Sequence, residues 1–371
     1  MIDRRRRDTM QSLSCVPRRV FLLACAGALG ALRAGAAAAA LPAYAPKAKV
    51  GGRLRCSGAE TMRDLVAAWA RGFAARQPRV VVDNAATTLS AEGFDALLDG
   101  RADLVTFVRE PFAAEVAAFV DKFGYAPTLI NVAGGSYATK GGTHALAIYV
   151  NAANPLARID LDALDAIYSK ERRRGGRPIA TWGQLGLGGE WEARPIHAYG
   201  MLHRRASGNP PGIVNFLQQR VLHGGEFRDD VREQVDRRGE TALDAIVRSV
   251  AEDPFGIGYG GFAYAAPGTK ALALAETQRG PWYAGTPDEV ARRVYPLSRQ
   301  IYLGIRHAPG TRLAPALAEF LSFVLSREGQ QAVAADRMRF IPLSDEQAAL
   351  ARRALSADGD AAARASADAA H

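Results

Sequence analysis

The sequence predicts an α/β fold in two domains. Short apolar runs alternate with helix-period segments from Arg53 onward, the rhythm of parallel sheets with helices on their faces. At 371 residues the chain is long enough to bury two cores. A glycine-rich run, Pro254-Phe255-Gly256-Ile257-Gly258-Tyr259-Gly260, reads as a strand returning to the first domain, its glycines acting as a hinge. With 48% hydrophobic and 23% charged residues, the composition excludes a fibre or a membrane bundle.

Residues 1–45 stand apart. Basic residues precede an apolar stretch over 20–32, an alanine-rich run and the triplet Ala43-Tyr44-Ala45, the three regions of a cleaved export signal. Arg18-Arg19 sits directly against the apolar run, as in a twin-arginine signal; Pro17 leaves a general secretory route open. Arg33 interrupts the run, which is too short for a membrane anchor of about 20 residues. A lipoprotein reading of Leu22-Leu23-Ala24-Cys25 is disfavoured because too little apolar chain separates Arg19 from Cys25. The leader holds seven arginines and two aspartates, so its removal takes the net charge from +9 to +4 and weakens any case for a nucleic-acid partner. It also takes Cys15 and Cys25, leaving Cys56 unable to form an internal disulfide.

In the mature chain a strand at 53–56 leads to a helix at 62–75, a strand at 79–83 to a helix at 91–98, and Asp99-Gly100 turns the chain into a strand at 102–107. Ligands of such sheets lie at the carboxyl ends of the strands, where Ser57-Gly58-Ala59-Glu60-Thr61, Thr87-Thr88-Leu89-Ser90 and Val108-Arg109-Glu110-Pro111 fall. A glycine-rich loop, Gly134-Gly135-Ser136, precedes a strand at 145–151 and a helix at 161–168. Lys170-Glu171-Arg172-Arg173-Arg174 reads as a solvated turn, since no aromatic residues are interleaved with it. Trp182 reads as a packed indole. A helix at 213–222 is followed by a charged helical stretch to about 250, strand segments at 295–299 and 301–305, and a helix at 317–325. The Ala, Ser and Asp tail at 355–371 has no apolar period and reads as disordered.

The chain is organised around Arg204-Arg205-Ala206-Ser207-Gly208-Asn209, just before the helix that starts at Ile213. Guanidinium groups, a hydroxyl, a glycine and a helix start form a cradle suited to an oxyanion, provided it faces the loop that ends in Thr61.

Taken in order, the Ser57–Met62 loop, the 100–111 segment, 147–155, Ile167-Tyr168-Ser169, 181–185, Ser207-Gly208, 254–259, 295–299, 320–330 and Ile341-Pro342-Leu343 resemble the phosphate-binding periplasmic proteins of ABC uptake systems, the PstS-like branch of the class II solute-binding fold. The resemblance runs from about Gly52 to Leu343. It implies an α/β, two-lobed periplasmic binding protein with mixed sheets flanked by helices and a two-strand hinge. Lobe 1 would comprise 50–143 and 257–345, and lobe 2 would comprise 144–256. It further implies a monomer that takes phosphate or a similar oxyanion and serves ABC permease subunits, with no cofactor and no metal. Carried over by position, Thr61 supplies a first-loop hydroxyl, Thr87 or Thr88 a second, Arg205 the arginine, and Ser207, Gly208 and Asn209 the second-lobe loop; Arg109 stands in the pair after the third strand.

Departures accompany the match. Asn209 replaces the loop's usual threonine, and Pro210-Pro211 remove amide donors there. Glu60 adds a negative charge beside Thr61 unless it points outward. Val108 stands where a serine is usual, and Glu110 is either a proton-accepting carboxylate or a surface residue. These departures support an alternative: a diverged secreted or periplasmic protein that no longer binds phosphate and has another ligand or a signalling or secretion role. An enzyme is not expected. The six histidines (His144, His197, His203, His223, His307, His371) show no metal-ligand spacing, Ser207 has no evident base, and His197 and His203 flank the central loop without a motif.

Overall fold

The computed structural model describes residues 41–203, 208–353 and 355, and for 85–88 the backbone alone. Most of the leader, the Arg204–Ser207 stretch and nearly all of the expected tail therefore lie outside the described residues. Strand β1 (Gly51–Ala59) passes through a 3-10 turn (Glu60–Met62) into α1 (Arg63–Ala74), whose Leu65, Val66, Trp69 and Phe73 recur at helical spacing and are buried. Next come β2 (Arg79–Thr88), α2 (Ser90–Leu98), β3 (Leu104–Phe107), α3 (Ala113–Phe123) and β4 (Thr128–Gly134). β1 pairs in parallel with β2 and β3, and the later strand β12 (Gln300–Ile305) inserts antiparallel between β3 and β4. The first sheet thus has the order β2-β1-β3-β12-β4, with one inner strand, β12, drawn from a distant part of the chain.

Between β4 and β12 the chain builds a second body. It runs through β5 (Leu146–Asn151), β6 (Arg158–Asp160), α4 (Leu161–Tyr168), β7 (His197–Met201), α5 (Gly212–Arg220), β8 (Arg232–Gln234), α6 (Ala242–Glu252), β9 (Gly256–Gly261), β10 (Thr269–Ala271), β11 (Ala273–Ala275) and α7 (Pro287–Ala291). Its sheet has the order β10-β5-β9-β7-β8, and β6 pairs with β11 alongside. Helices α8 (Pro315–Val324), α9 (Arg327–Ala334) and α10 (Asp345–Arg353) return to the first body, where Phe320, Leu321 and Val333 join Leu54, Trp69 and Phe73 in one core. A separate core fills the second body, with Ile148, Trp182, Ile246, Tyr259 and Leu297 among its buried members.

Two chain passages join the bodies. At one, Gly134-Gly135-Ser136 leaves β4; at the other, 297–299 enters β12, and the Gly135 amide donates to the Arg299 carbonyl (2.8 Å). Gly135 admits no side chain, because a Cβ there would lie 2.8 Å from the Thr143 carbonyl oxygen.

Three expectations need correction. The glycine-rich strand expected to return to the first lobe and act as the hinge is β9, a central strand of the second sheet, antiparallel to β5 and parallel to β7. A lobe boundary at 257 falls inside it. All six of its residues are buried, and the glycines let α6 and Tyr199 pack closely: a Cβ at Gly258 would lie 2.6 Å from Ile246. The charged stretch to 250 is not one helix, since Arg232–Gln234 pairs as an edge strand and α6 starts afresh at the Thr241 capping box. The basic run is not wholly solvated either. The Arg174 side chain is 4% exposed and reaches Asp162 at 3.2 Å and Glu276 at 3.0 Å.

Candidate functional site in the cleft between the sheets

Parallel pairing brings the expected first-lobe loops together. Gly58 lies in register with Thr87 and Thr106, and Ala59 with Thr88, so the carboxyl ends of β1, β2 and β3 open on one edge of the sheet. Gly58 is indispensable there: its φ is +116°, and a Cβ would lie 2.5 Å from the Thr106 carbonyl. The Thr61 hydroxyl oxygen is buried and has no hydrogen-bond partner, a condition that buried polar atoms rarely keep without a ligand or water. Glu60 points outward, half exposed and paired with Arg63 at 2.6 Å, so its charge is answered away from Thr61. Thr87 and Thr88 end β2; their side chains lie outside the described residues.

Arg109 is held differently from an open anion anchor. Its guanidinium donates to both Glu115 carboxylate oxygens at 2.8 and 2.6 Å and to the Glu110 carbonyl at 2.9 Å, with Phe112 stacked beneath it at 3.8 Å. Both partners are nearly buried. A bidentate pair of this kind satisfies its charge internally.

The second body meets this edge through α5. A Cβ on Gly212, its first residue, would lie 3.2 Å from Arg109 Cβ. One turn further, the Asn215 side-chain amide donates to the Glu110 carbonyl (3.0 Å), and Gln219 donates to the Pro111 carbonyl (3.0 Å). Pro211 occupies the cap of α5 and supplies no side-chain cap bond. Gly208 has φ +79° with open space around it, and Asn209 is exposed beside it. Arg205 and Ser207 lie outside the described residues, between β7 and Gly208.

Sequence reasoning missed other residues near this edge. Arg299 is 5% exposed; its Nε has no partner, and its guanidinium stands 3.5 Å from Glu110, which is itself largely buried. Glu110 is therefore not a surface residue. His144 is buried, donates from Nδ1 to the Gly142 carbonyl (2.7 Å), and leaves Nε2 unpartnered. Burial, reinforced by Arg299, holds its imidazole down to about 4 despite the opposing pull of the Gly142 carbonyl, so it is neutral at physiological pH. Ser90, at the start of α2, faces the Val108 amide at 3.5 Å. The segment 295–299, expected as a strand but found as a turn leading into β12, carried a signal for Arg299 only as a position in a run; nothing local marked its burial. His197 and His203 do not form a joint site: His197 binds Asp253 at 2.6 Å and His203 lies 2.7 Å from Glu233. Among the described residues no group of three or more His, Cys, Asp or Glu could hold a metal ion. Burial pushes the Cys56 thiol up to about 12, which makes it unreactive.

Residues 43–328 match the family model of the PBP superfamily domain, and the chain is 33% identical over 305 residues to the phosphate-binding protein PstS of Pseudomonas aeruginosa, covering 82% of this chain and 87% of that one. The chain belongs to the PBP superfamily, in its PstS-like branch. Two solved structures also align with this PstS-like chain. A possible phosphate binding protein from Planctomyces limnophilus is 22% identical, covers 84% of this chain and 99% of its own, and has a TM-score of 0.47. An ABC-type phosphate transport receptor from Vibrio cholerae is 17% identical, covers 78% and 99%, and has a TM-score of 0.48. In this PstS-like member, the family's two-lobed α/β plan is the pair of mixed sheets joined at Gly134-Gly135 and 297–299.

Proposed function

We propose that this protein is an exported receptor that captures inorganic phosphate, or a closely related oxyanion, between its two lobes and presents it to ABC permease subunits. The observation that carries the reading is the buried, unpartnered Thr61 hydroxyl at the converging ends of β1, β2 and β3, in a chain 33% identical to a phosphate-binding PstS. Arg205, Ser207, Gly208 and Asn209 would close on the ion from the second lobe, with Thr87 or Thr88 adding a hydroxyl beside Thr61. Neutral donors with one fixed guanidinium hold an oxyanion without needing a counter-ion from solvent. The work is binding and closure with no chemical step: contacts made only in the closed state shift the population toward it. Export through the 1–45 leader, a periplasmic location and a monomeric receptor complete the reading.

Titration calorimetry of the leaderless protein tests it. Phosphate should release heat with one-to-one stoichiometry, and Thr61→Val should weaken binding about ten- to a hundredfold, the worth of one hydrogen bond to a charged group. An unchanged affinity in Thr61→Val removes this threonine from the site.

A second reading is supported by specific features. Arg109 is committed to Glu115, and Pro210-Pro211 leave α5 without two amide donors at its start. On that reading the cleft takes a different oxyanion. Sulfate and arsenate titrated beside phosphate distinguish the two by their order of affinity.

A further inference from the structure

Behind the second chain passage lies a cavity of about 410 Å³ that the cleft does not use, lined among others by Arg220, Tyr283, Arg293, Val294, Pro296 and Ser298. Its charges do not balance. Arg220, at the end of α5, forms a two-point pair with Glu276 and also donates to the Pro296 carbonyl at 3.1 Å. Glu276 is shared again with Arg174 at 3.0 Å, so this single carboxylate already answers two guanidinium groups. Arg293 has no carboxylate partner among the described residues. It is held by two neutral oxygens, Gln300 Oε1 at 3.2 Å and Asn131 Oδ1 at 2.6 Å, which fix its position without cancelling its charge. A guanidinium carries five N–H donors, so three remain for another acceptor.

The backbone reinforces this placement. Arg293 has φ +62°, the left-handed region that long side chains seldom enter and that tends to mark sites with a task. Burial lowers its affinity for a proton to about 10; it stays charged at neutral pH, in the direction expected of a half-buried cation without a counter-charge. The walls are partly apolar, with Val294, Tyr295 and Pro296 beside the Tyr283 and Ser298 side chains. That combination selects an oxyanion head on a small apolar body.

We infer that this hinge cavity is a second ligand site, distinct from the cleft, which takes a small organic carboxylate with Arg293 as its anchor. The site spans both bodies: Arg220 belongs to α5 of the second, whereas Asn131 and Gln300, which hold Arg293, belong to β4 and β12 of the first. An occupant would therefore bias the angle between the lobes.

The test uses the whole leaderless chain and benzoate as the probe, with benzamide as its uncharged counterpart, followed by calorimetry or ligand-observed NMR. Benzoate should bind one-to-one, benzamide should not, and Arg293→Gln should weaken benzoate at least about tenfold, the lower end for a charge-assisted hydrogen bond. Val294→Phe, which fills the cavity from its apolar wall and leaves Arg293 in place, should abolish binding; thermal melting of both variants reports folding. No benzoate binding at millimolar concentration, equal binding of benzamide, or unchanged binding in a folded Arg293→Gln or Val294→Phe chain overturns the inference. Its failure leaves the phosphate reading intact, because that is tested separately, with phosphate as the ligand and substitutions at Thr61 and Arg205.

Discussion

Single side chains set the character of the cleft. Thr61 keeps a hydroxyl with no internal partner, whereas Arg109, equally prominent in the sequence, is closed off by Glu115. The difference was only half legible. Thr61 follows a strand and precedes a helix, which is enough to place it. The partner of Arg109 sits six positions along, at the third residue of α3, where it reads as a capping glutamate; indeed Glu115 also accepts the Phe112 amide at 2.7 Å. His144 and Arg299 were invisible because their burial comes from the packing of two separate bodies. His144 gives a prediction with a definite sign. Its folded-state value, about 4, lies below its ordinary 6.5 because it is buried. As pH falls from about 6.5 toward 4 the unfolded chain takes up a proton that the folded chain refuses, and stability is lost across that window by up to about 3 kcal/mol. Urea unfolding at pH 7 and pH 4.5 should show this loss, and His144→Gln should flatten it.

At the scale of elements, local signals fared best where a cap and an apolar period coincide. The helix at 161–168 is found with the bounds read from the sequence, because Asp160 accepts the Ala163 amide at its start (2.8 Å) and Leu161, Leu164 and Tyr168 mark its buried face. β9 shows the opposite case: a glycine-rich strand buried on both sides carries no record of which sheet it joins. Another long-range tie holds residues 44–48, which straddle the expected end of the leader. Glu319 on α8, 6% exposed, accepts the Tyr44 hydroxyl at 2.6 Å and the Lys47 and Ala48 amides at 2.9 and 3.0 Å. Burial first, and then Glu319, push the Tyr44 phenol up to about 12. Glu319→Ala leaves these donors unanswered and should cost about 2–3 kcal/mol in chemical unfolding, with residues 44–48 becoming the first site of limited proteolysis. On α5, Asn215→Ala with Gln219→Ala removes two hydrogen bonds to the β3–α3 loop, about 1 kcal/mol each. The doubly substituted chain should show a larger radius of gyration in X-ray scattering than the parent without ligand, and phosphate should reverse the increase.

For the whole molecule, the two-body α/β plan followed from the strand-helix alternation and the order of landmarks, and the mixed sheets bear it out. The division of the chain between the bodies was less legible. Strand β12 joins the first sheet from far along the sequence, and the stretch from β9 to α7 stays with the second core through Ile257, Leu274 and Val290. Hinge position depends on these non-local pairings, which no window of sequence contains. The central claim is that one oxyanion is gripped from both bodies, and a double-mutant cycle on phosphate affinity tests it most directly. Titration calorimetry of the leaderless chain, Thr61→Val, Arg205→Ala and the double variant should show both single substitutions weakening phosphate, with a combined loss that departs from their sum because both residues act on the same bound ion. Phosphate binding that is absent from the parent chain, or indifferent to both substitutions, would contradict the account.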